Sequence, residues 1–412
     1  ASGNTFTSAG SSYTLKNGAS LHVISGPQGV TGNSLTWTRD QISVTGSRQE
    51  GEAVILLSDS GSAEDNSLSG AGVAFTAHGA GLSIVTAQND VYRNNVTFSE
   101  NNDKRSTIQA LNGASVSVFS ARTGKATGNN LTATDTDITG DAAMTLLTTP
   151  REAEKNIFSL TRTSFNAGDS VPEGSSLTLI SGQTAEGNDV SIASSDFHAG
   201  GNITGIHAGG DSQNDAATFT DSTFSSADGL AIGIEAAGSA QKDSFVLNGG
   251  TLNSANSYAI EDWHRATIKG GTVNGAVAAW TYSGGTNSSL EISGGTINGD
   301  VTSVNYGNAE GKVAKVSITG GTVNGTLGTY TYSNGLTPIS DTAKATIEVT
   351  GGTFNNDPTK YVAENSAITK NSDGTFGVAK TYLAKVGETS YYTMDEAFHA
   401  AVASGETLYL LR

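Results

Sequence analysis

Apolar and polar residues alternate along short stretches of this chain, and the stretches recur at spacings of 21 to 35 residues. Each stretch has an apolar residue at a first position, another two positions later and a third seven positions after the first. Alternation predicts a strand with one buried face, and the third apolar position indicates a return to the core after a corner. The stretches begin at residues 35, 68, 96, 131, 158, 190, 217, 245, 266, 290, 316 and 347.

A second pattern supports the same register. The segments "SLHVISG", "SVSVFSA" and "SLTLISG" precede "GNSLTW", "GNNLTA" and "GNDVSI", and each pair reads as strand, turn and strand. Two stretches fit the first pattern only in part, because Gly70 and Asp103 stand where an apolar residue is expected. Units made only of strands and turns argue against helical repeats. The sequence therefore predicts an all-β parallel β-helix, a solenoid of about twelve coils.

Glycine, threonine and asparagine recur at fixed offsets in the regular repeats. Stacked coils turn such repeats into columns along the solenoid axis. A Gly-Gly pair predicts a tight corner with positive φ, where a side chain would be strained. The first glycines of the pairs are Gly249, Gly270, Gly294, Gly320 and Gly351, the threonines are Thr251, Thr272, Thr296, Thr322 and Thr353, and the asparagines are Asn166, Asn253, Asn274, Asn298, Asn324 and Asn355. We expect these columns to be scaffold, with asparagine side chains bonded from coil to coil.

The C-terminal region departs from the repeat. We predict a β-helix over residues 1–375, less regular in 1–150 and regular in 150–375, followed by a strand-helix-strand unit over 376–412, which acts as a cap or begins another unit. Thr393 and Glu396 form a capping-box pair, and Gly405 is placed to end the helix. Met394, Ala397, Phe398 and Ala401 share one helical stripe, which predicts the buried face of the helix.

Composition narrows the classes of partner. The chain has 22 basic and 39 acidic residues, a net charge of −17, which disfavours nucleic acid and anionic lipid. It has no cysteine, so disulfides and thiolate sites are excluded. We find no apolar run of about 18 residues and expect no direct membrane insertion in this segment. Because the chain begins at Ala1 rather than Met, we expect a mature or trimmed piece of a longer protein.

The repeats "ISGGTINGDV", "ITGGTVNGTL" and "VTGGTFNNDPTKYVAENSAITKNSDGTFGV" carry a resemblance. They are similar to the pectate-lyase-like right-handed β-helix repeats of large bacterial surface and secreted proteins, including adhesin-type and autotransporter passenger regions. The terminal "YLAKVGETSYYTMDEAFHAAVASGETLYLL" looks like the unit that introduces a further repeat array in such proteins. The resemblance covers residues 150 to 400 well and implies a right-handed solenoid at the cell surface or in the medium. It leaves activity open, because this fold carries lyases, hydrolases and adhesins.

Acidic and basic residues give one candidate catalytic group. Arg39, Asp40, Asp135, Asp137 and Asp196 lie near one corner, but they do not form the sets expected of polygalacturonases, and we interpret them as solvated turn residues. Aligning "GIHAGG", "GIEAAG" and "AIEDWH" places His207, Glu235 and Glu261 on neighbouring coils. Carboxylates one coil apart approach the roughly 5 Å separation of a retaining glycosidase. The alternative is a solvent-facing column of unlike side chains.

No metal or cofactor is expected. A calcium-binding Gly-Gly-x-Gly-x-Asp repeat requires an acid in each copy, but only Asp300 supplies one, and its counterparts are Ala276 and Thr326. Phosphate-binding loops and Ser-His-Asp motifs are likewise missing from the sequence. Their absence argues against hydrolases of familiar type.

Aromatic residues give a candidate binding surface. Aligning "AAWTYSGG", "TSVNYGNA" and "GTYTYSNG" puts Trp280 and Tyr330 in one column and Tyr282, Tyr306 and Tyr332 in another. Together with Trp263 they form a predicted ligand-binding strip, since flat rings with polar edges suit sugar faces. The alternative is that these rings fill the core or cover the sheet.

We therefore expect a non-catalytic extracellular adhesin or stalk at the bacterial surface, or a secreted protein. Its long face would meet glycans, host matrix or sister cells, and its lateral faces would allow self-association. The alternatives are a polysaccharide lyase or glycoside hydrolase built on Glu235, Glu261 and His207, and a plain spacer.

Overall fold

The computed structural model describes residues 1–16, 21–46, 53–58, 60–168, 176–227, 231–282, 285–333, 338–339 and 344–411. Within these residues the chain is an all-β right-handed parallel solenoid of about 11 turns, close to the predicted twelve. The predicted first positions of all twelve stretches form one column of paired residues, from Leu35 to Ile347. Phe6 pairs with Leu35 and extends this column by one coil.

The first and second strands of each turn meet at a corner. The first strands are Thr5–Ala9, Ser34–Thr38, Ser67–Ala71, Asn95–Ser99, Asn130–Thr134, Ile157–Thr161, Asp189–Ala193, Ser288–Ile292, Ala314–Ile318 and Ala345–Val349. The second strands are Ser12–Leu15, Gln41–Thr45, Ala74–His78, Ser106–Leu111, Thr136–Gly140, Ser164–Ala167, Asp196–Ala199, Thr296–Ile297, Thr322–Val323 and Gly352–Phe354. The longer strands Ala216–Ser226, Ser244–Asp262 and Arg265–Tyr282 run through this corner without a break.

A third strand follows in every turn but the last among the described residues, and a short fourth strand completes the turns before Ser244. The third strands are Leu21–Gly26, Ala53–Ser58, Leu82–Ala87, Val116–Ala121, Met144–Thr148, Leu177–Gly182, Ile203–Ala208, Ala231–Ala236, Val301–Tyr306 and Leu327–Thr331. In two further turns the C-terminal ends of the long strands Ser244–Asp262 and Arg265–Tyr282 take this place. The fourth strands are Gly29–Thr31, Ser62–Glu64, Val91–Tyr92, Ala126–Thr127, Glu152–Glu154, Thr184–Glu186, Ser212–Gln213 and Ala240–Gln241. Among the described residues, the later turns have no fourth strand, and the three spacings from residue 245 to residue 316 are the shortest of the chain.

The two partial fits of the repeat have physical causes. A Cβ on Gly70 would lie 3.0 Å from the Phe98 ring, so the missing side chain leaves room for a large neighbour in the next coil. Asp103 belongs to an insertion closed by the bridge between Asn101 and Lys104. After the insertion, Ile108 takes the expected apolar position and pairs with Phe75 and Ile138.

The Gly-Gly corner differs in detail from the prediction. In the later repeats the second glycine of the pair has positive φ, for example 82° at Gly295 and 84° at Gly321. The first glycine is required for space, because a Cβ on Gly294 would lie 2.3 Å from the Lys269 carbonyl oxygen. Only in the first pair does the leading residue, Gly249, also have positive φ, at 93°.

Two asparagine ladders run along the solenoid. The predicted outer ladder is confirmed from Asn253 to Asn324, with side-chain hydrogen bonds of 2.6–2.7 Å between successive coils. A second ladder lies inside the solenoid and was not predicted. Its side-chain amides each donate to the next side-chain oxygen at 2.8–3.0 Å, and its members are Asn33, Asn66, Asn94, Asn129, Asn156 and Asn188. Asn188 donates to Asp215, so a carboxylate ends the amide series.

The C-terminal region contains an antiparallel strand pair and, beyond it, a small sheet with a helix. The strands Ser366–Lys370 and Phe376–Lys380 form an antiparallel pair, and the second of them also pairs with Gly352–Phe354 of the last turn. A 3₁₀ turn over Thr359–Tyr361 precedes them. Beyond them, a three-stranded antiparallel sheet packs against the only α-helix of the described residues; its elements are Ala384–Val386, Thr389–Tyr391, Leu408–Leu410 and the helix α1, Met394–Ser404.

Helix α1 has the predicted ends but not the predicted buried face. Thr393 accepts a hydrogen bond from the Glu396 backbone, and Gly405 ends the helix with φ of 70°. Ala397 is buried, with Ala400 and Ala401 packed beside it, whereas Phe398 is 63% exposed and Met394 is 41% exposed. Small side chains let the helix approach the sheet closely. Arg412 lies outside the described residues, and in the described part of the chain no helix combines the length and apolar character needed to cross a membrane.

Candidate functional site

The third strands of the later turns present their aromatic residues outward. Thr281, Asn305 and Thr331 point into the solenoid, and each of them is at most 4% exposed. Side chains alternate along a strand, so the residues on either side of them point to the outer face. The six predicted aromatic residues all lie on this face and are partly or largely exposed: Trp263, Trp280, Tyr282, Tyr306, Tyr330 and Tyr332.

Strand register arranges these rings in columns, as predicted. Trp280 pairs with Val304, which pairs with Tyr330, and Tyr282 pairs with Tyr306. Rings also contact one another between columns. The Trp263 and Tyr282 ring centroids are 5.3 Å apart, those of Trp280 and Tyr306 6.2 Å, and those of Tyr330 and Tyr332 5.8 Å.

A column of small residues runs beside the aromatic columns. Glu261 pairs with Ala278, which pairs with Thr302, which pairs with Gly328. Because the side chains after Glu261 are short, the space above them stays open. Gly328 also makes room for a ring, since a Cβ there would lie 2.6 Å from the Tyr330 side chain.

The rings and the small residues together form two clefts with Trp280 in the wall of both. The larger, of about 560 Å³, is lined by Tyr258, Ala276, Trp280, Asp300, Thr302, Val304, Tyr330 and Tyr332. The smaller, of about 430 Å³, is lined by Ala237, Glu261, Trp263, Trp280, Tyr282 and Tyr306. We name them the tyrosine cleft and the tryptophan cleft. Both have the size and the mostly apolar lining typical of small-ligand sites.

The carboxylate group predicted from the sequence adjoins the tryptophan cleft. His207 and Glu235 pair in register, and the His207 Nδ1 atom lies 3.0 Å from a Glu235 carboxylate oxygen. This hydrogen bond to Glu235 raises the pKa of His207 despite its partial burial. Burial raises the pKa of Glu261, a hydrogen bond from the Trp263 side chain opposes the shift, and the negative charge of Glu235 adds to it. The structure thus holds His207 and Glu235 as a pair and places Glu261, partly desolvated, within reach of the charge of Glu235.

The other acidic candidates serve the scaffold. Asp135 pairs with Arg162 at 2.7 Å, and Asp137 pairs with Arg105 at 2.9 Å. Asp40 is fully buried and accepts hydrogen bonds from Ser8, Ser11 and Thr38. In the described part of the chain, no group of three or more His, Cys, Asp or Glu residues is arranged to hold a metal ion.

Two lining residues of the tyrosine cleft were not recognised in the sequence. Tyr258 packs edge-on against Trp280, with ring centroids 6.3 Å apart. Its pairing with Ala276 follows an irregularity in the register, so a fixed repeat offset does not align it with the other rings. Asp300 was considered only as a calcium ligand, and in the structure its carboxylate accepts hydrogen bonds from the Thr326 backbone and hydroxyl.

Comparison of this chain with protein-family models, with curated proteins and with solved structures gives no match.

Proposed function

We propose that this chain is a non-catalytic saccharide-binding solenoid of the bacterial surface or the surrounding medium. One observation carries the proposal: aromatic rings on the outer face line two adjoining clefts that share Trp280. Aromatic rings bury large apolar area at low conformational cost, and the apolar faces of sugar rings match them in shape. The clefts also offer polar groups at Asp300, Thr302 and Glu261, which can bond sugar hydroxyls.

Charge and scaffold support an extracellular role. The net charge of −17 and the absence of cysteine suit a soluble, disulfide-free rod. The resemblance of the Gly-Gly-Thr repeats to adhesin-type solenoids favours glycans on host cells, matrix or sister cells as partners. Lateral association between rods, along faces of low charge density, is a further part of this proposal.

A glycan array tests the proposal directly. We expect the wild-type protein to bind a subset of glycans and Trp280→Ala to lose this binding, because the substitution opens both clefts at once. Tyr382→Ala is the matched control, since Tyr382 is an exposed aromatic residue, 46% exposed, whose ring stacks on Tyr392 in the C-terminal unit. An array without hits, or one on which both variants behave like the wild type, would contradict the proposal.

Glycoside hydrolysis is the second candidate, favoured by the carboxyl groups beside the tryptophan cleft. Burial raises the pKa of Glu261, as a general acid requires, and a Glu235 carboxyl oxygen lies 3.0 Å from the His207 Nδ1 atom, which orients Glu235 as a second carboxyl group. A reducing-sugar assay on pectins, mucins and glycosaminoglycans separates the candidates. Release of sugar by the wild type, abolished by Glu261→Gln or Glu235→Gln, would replace binding with catalysis as the function.

A further inference from the structure

The tryptophan cleft combines four aromatic residues with one carboxyl group. Trp263, Trp280, Tyr282 and Tyr306 line it together with Glu261, and the remaining lining residue is Ala237. Aromatic rings attract cations through the negative charge on their faces, and this attraction grows when water is excluded. A carboxylate beside such rings adds a full negative charge. The lining is thus suited to a positively charged organic group.

Among the described residues, no cationic group contributes to the pKa shift of Glu261. The pKa of Glu261 reflects burial, the Trp263 hydrogen bond and the charge of Glu235, and the side chain of Glu235 already contacts His207 at 3.0 Å. Arg265 lines a separate small cavity together with Glu261, Asp243 and Asp262. Burial raises the pKa of both aspartates, and the charge of Arg265 partly opposes those shifts. Glu261 is partly buried. A partly desolvated carboxylate without a counter-ion is costly, and a bound cation would relieve that cost.

The surroundings of the cleft are acidic as well. Burial raises the pKa of Tyr282, and the negative charge of Asp211 adds to this shift. The Tyr282 hydroxyl donates to the Ala237 carbonyl oxygen at 2.7 Å. Neither cleft has a Lys or Arg residue in the described part of its lining. Together with the net charge of −17, this field attracts cations and repels anions.

We infer that the tryptophan cleft binds an organic ammonium group, held among the aromatic rings and beside the Glu261 carboxylate. The inference rests on the proposed saccharide binding. The ligand that it specifies is an amino sugar with a free ammonium group. A neutral N-acetylated sugar fits the same rings but leaves Glu261 without a partner. The tyrosine cleft, whose Asp300 is bonded to Thr326, is expected to take neutral sugar rings.

Calorimetric titration with matched oligosaccharides tests this inference. We expect glucosamine oligomers to bind at least about tenfold more tightly than their N-acetylated counterparts at about pH 6, where the sugar amines carry a proton. Glu261→Gln should remove that preference, since the amide keeps the shape but not the charge. Asp300→Asn, the matched change in the neighbouring cleft, should keep it. Equal affinity for the two oligomers, or equal loss in both variants, would overturn the inference while leaving saccharide binding intact.

Tetramethylammonium separates the ammonium site from the saccharide proposal, because its charge does not change with pH. Titrated from about pH 4 to about pH 9, its affinity should rise with pH as Glu261 ionises, since burial raises the pKa of Glu261 above its ordinary value. We expect Glu261→Gln to bind weakly at every pH. His207 loses its charge over part of this range, so His207→Gln is titrated in parallel and should preserve the rise. Binding of tetramethylammonium without any saccharide binding would support the ammonium site and contradict the proposed function. No binding of either probe would contradict both.

Discussion

Asp215 ends the inner asparagine ladder, and replacing it with asparagine is expected to stabilise the solenoid. One Asp215 carboxylate oxygen accepts the backbone and side-chain amides of Asn188, both at 2.8 Å. The other oxygen lies 2.9 Å from the Ser212 hydroxyl, which lies 2.7 Å from Asp243. One hydroxyl proton cannot serve both carboxylates. In Asp215→Asn, the new amide can donate to Ser212, whose hydroxyl then donates to Asp243.

The size of the effect follows from the pKa of Asp215, which burial raises to about 6. A raised pKa means that the folded state holds the proton more tightly than the unfolded chain. The stabilising contribution of the protonated form is therefore present below the unfolded pKa of about 3.8 and is lost as the pH rises through 6. Because Asp243 shares the site, we take the cost of ionised Asp215 at pH 8 as about 2 kcal/mol. Asparagine avoids this cost.

Hydrogen exchange is the suitable assay, because stability in a repeat array is local. About 2 kcal/mol corresponds to roughly 30-fold slower exchange of the Asn188 amide in Asp215→Asn at pH 8, after correction for intrinsic rates. At pH 4 the two proteins should differ little. Asn156→Asp, which places an acid in the middle of the same ladder, should exchange faster at pH 8. Faster exchange in Asp215→Asn than in the wild type at pH 8 would refute this reasoning.

Three further predictions concern the scaffold and the clefts. Gly295→Ala should destabilise its turn by at least about 1 kcal/mol, because residue 295 has φ of 82° and the new Cβ would lie 2.7 Å from the Gly271 carbonyl oxygen. Hydrogen exchange of the amides in this turn measures the loss of local stability. Thr393→Ala should cost about 1 kcal/mol of helix stability through loss of the cap to Glu396, seen as faster exchange confined to α1. Gly328→Ala should displace the Tyr330 ring and weaken glycan binding while leaving the melting temperature nearly unchanged, and an unaltered affinity would contradict the assignment of Tyr330 to the cleft.

The fold was largely predictable because apolar residues recur at the same offsets in nearly every repeat of the sequence. Pairing requires the same offset in every coil, so the column from Leu35 to Ile347 could be aligned without coordinates. The inner ladder left a signal too, the Asn of "GNSLTW", "GNNLTA" and "GNDVSI", but a polar residue beside a strand was interpreted as part of a turn. Burial of Asn129 and Asn188 depends on stacked partners in other coils, which one repeat does not reveal.

The aromatic columns of the candidate site were predictable, but its other lining residues and its shape were not. The aromatic columns follow from aligned repeats, yet whether Tyr282 faces inward or outward depends on the exact length of the preceding corner. One residue more or less would reverse every side chain of that strand. The irregular register before Tyr258 hid that residue, and the division into two clefts depends on the short side chains of Ala278, Thr302 and Gly328.

The central claim is that Trp280 is the central contact residue of a saccharide-binding surface. The most direct test is calorimetric titration of the best array ligand into the wild type and Trp280→Ala, with circular dichroism to verify the fold. Loss of a central aromatic contact typically costs 2 kcal/mol or more, so we predict at least about a 30-fold loss of affinity. Unchanged affinity in a folded Trp280→Ala protein would contradict the claim.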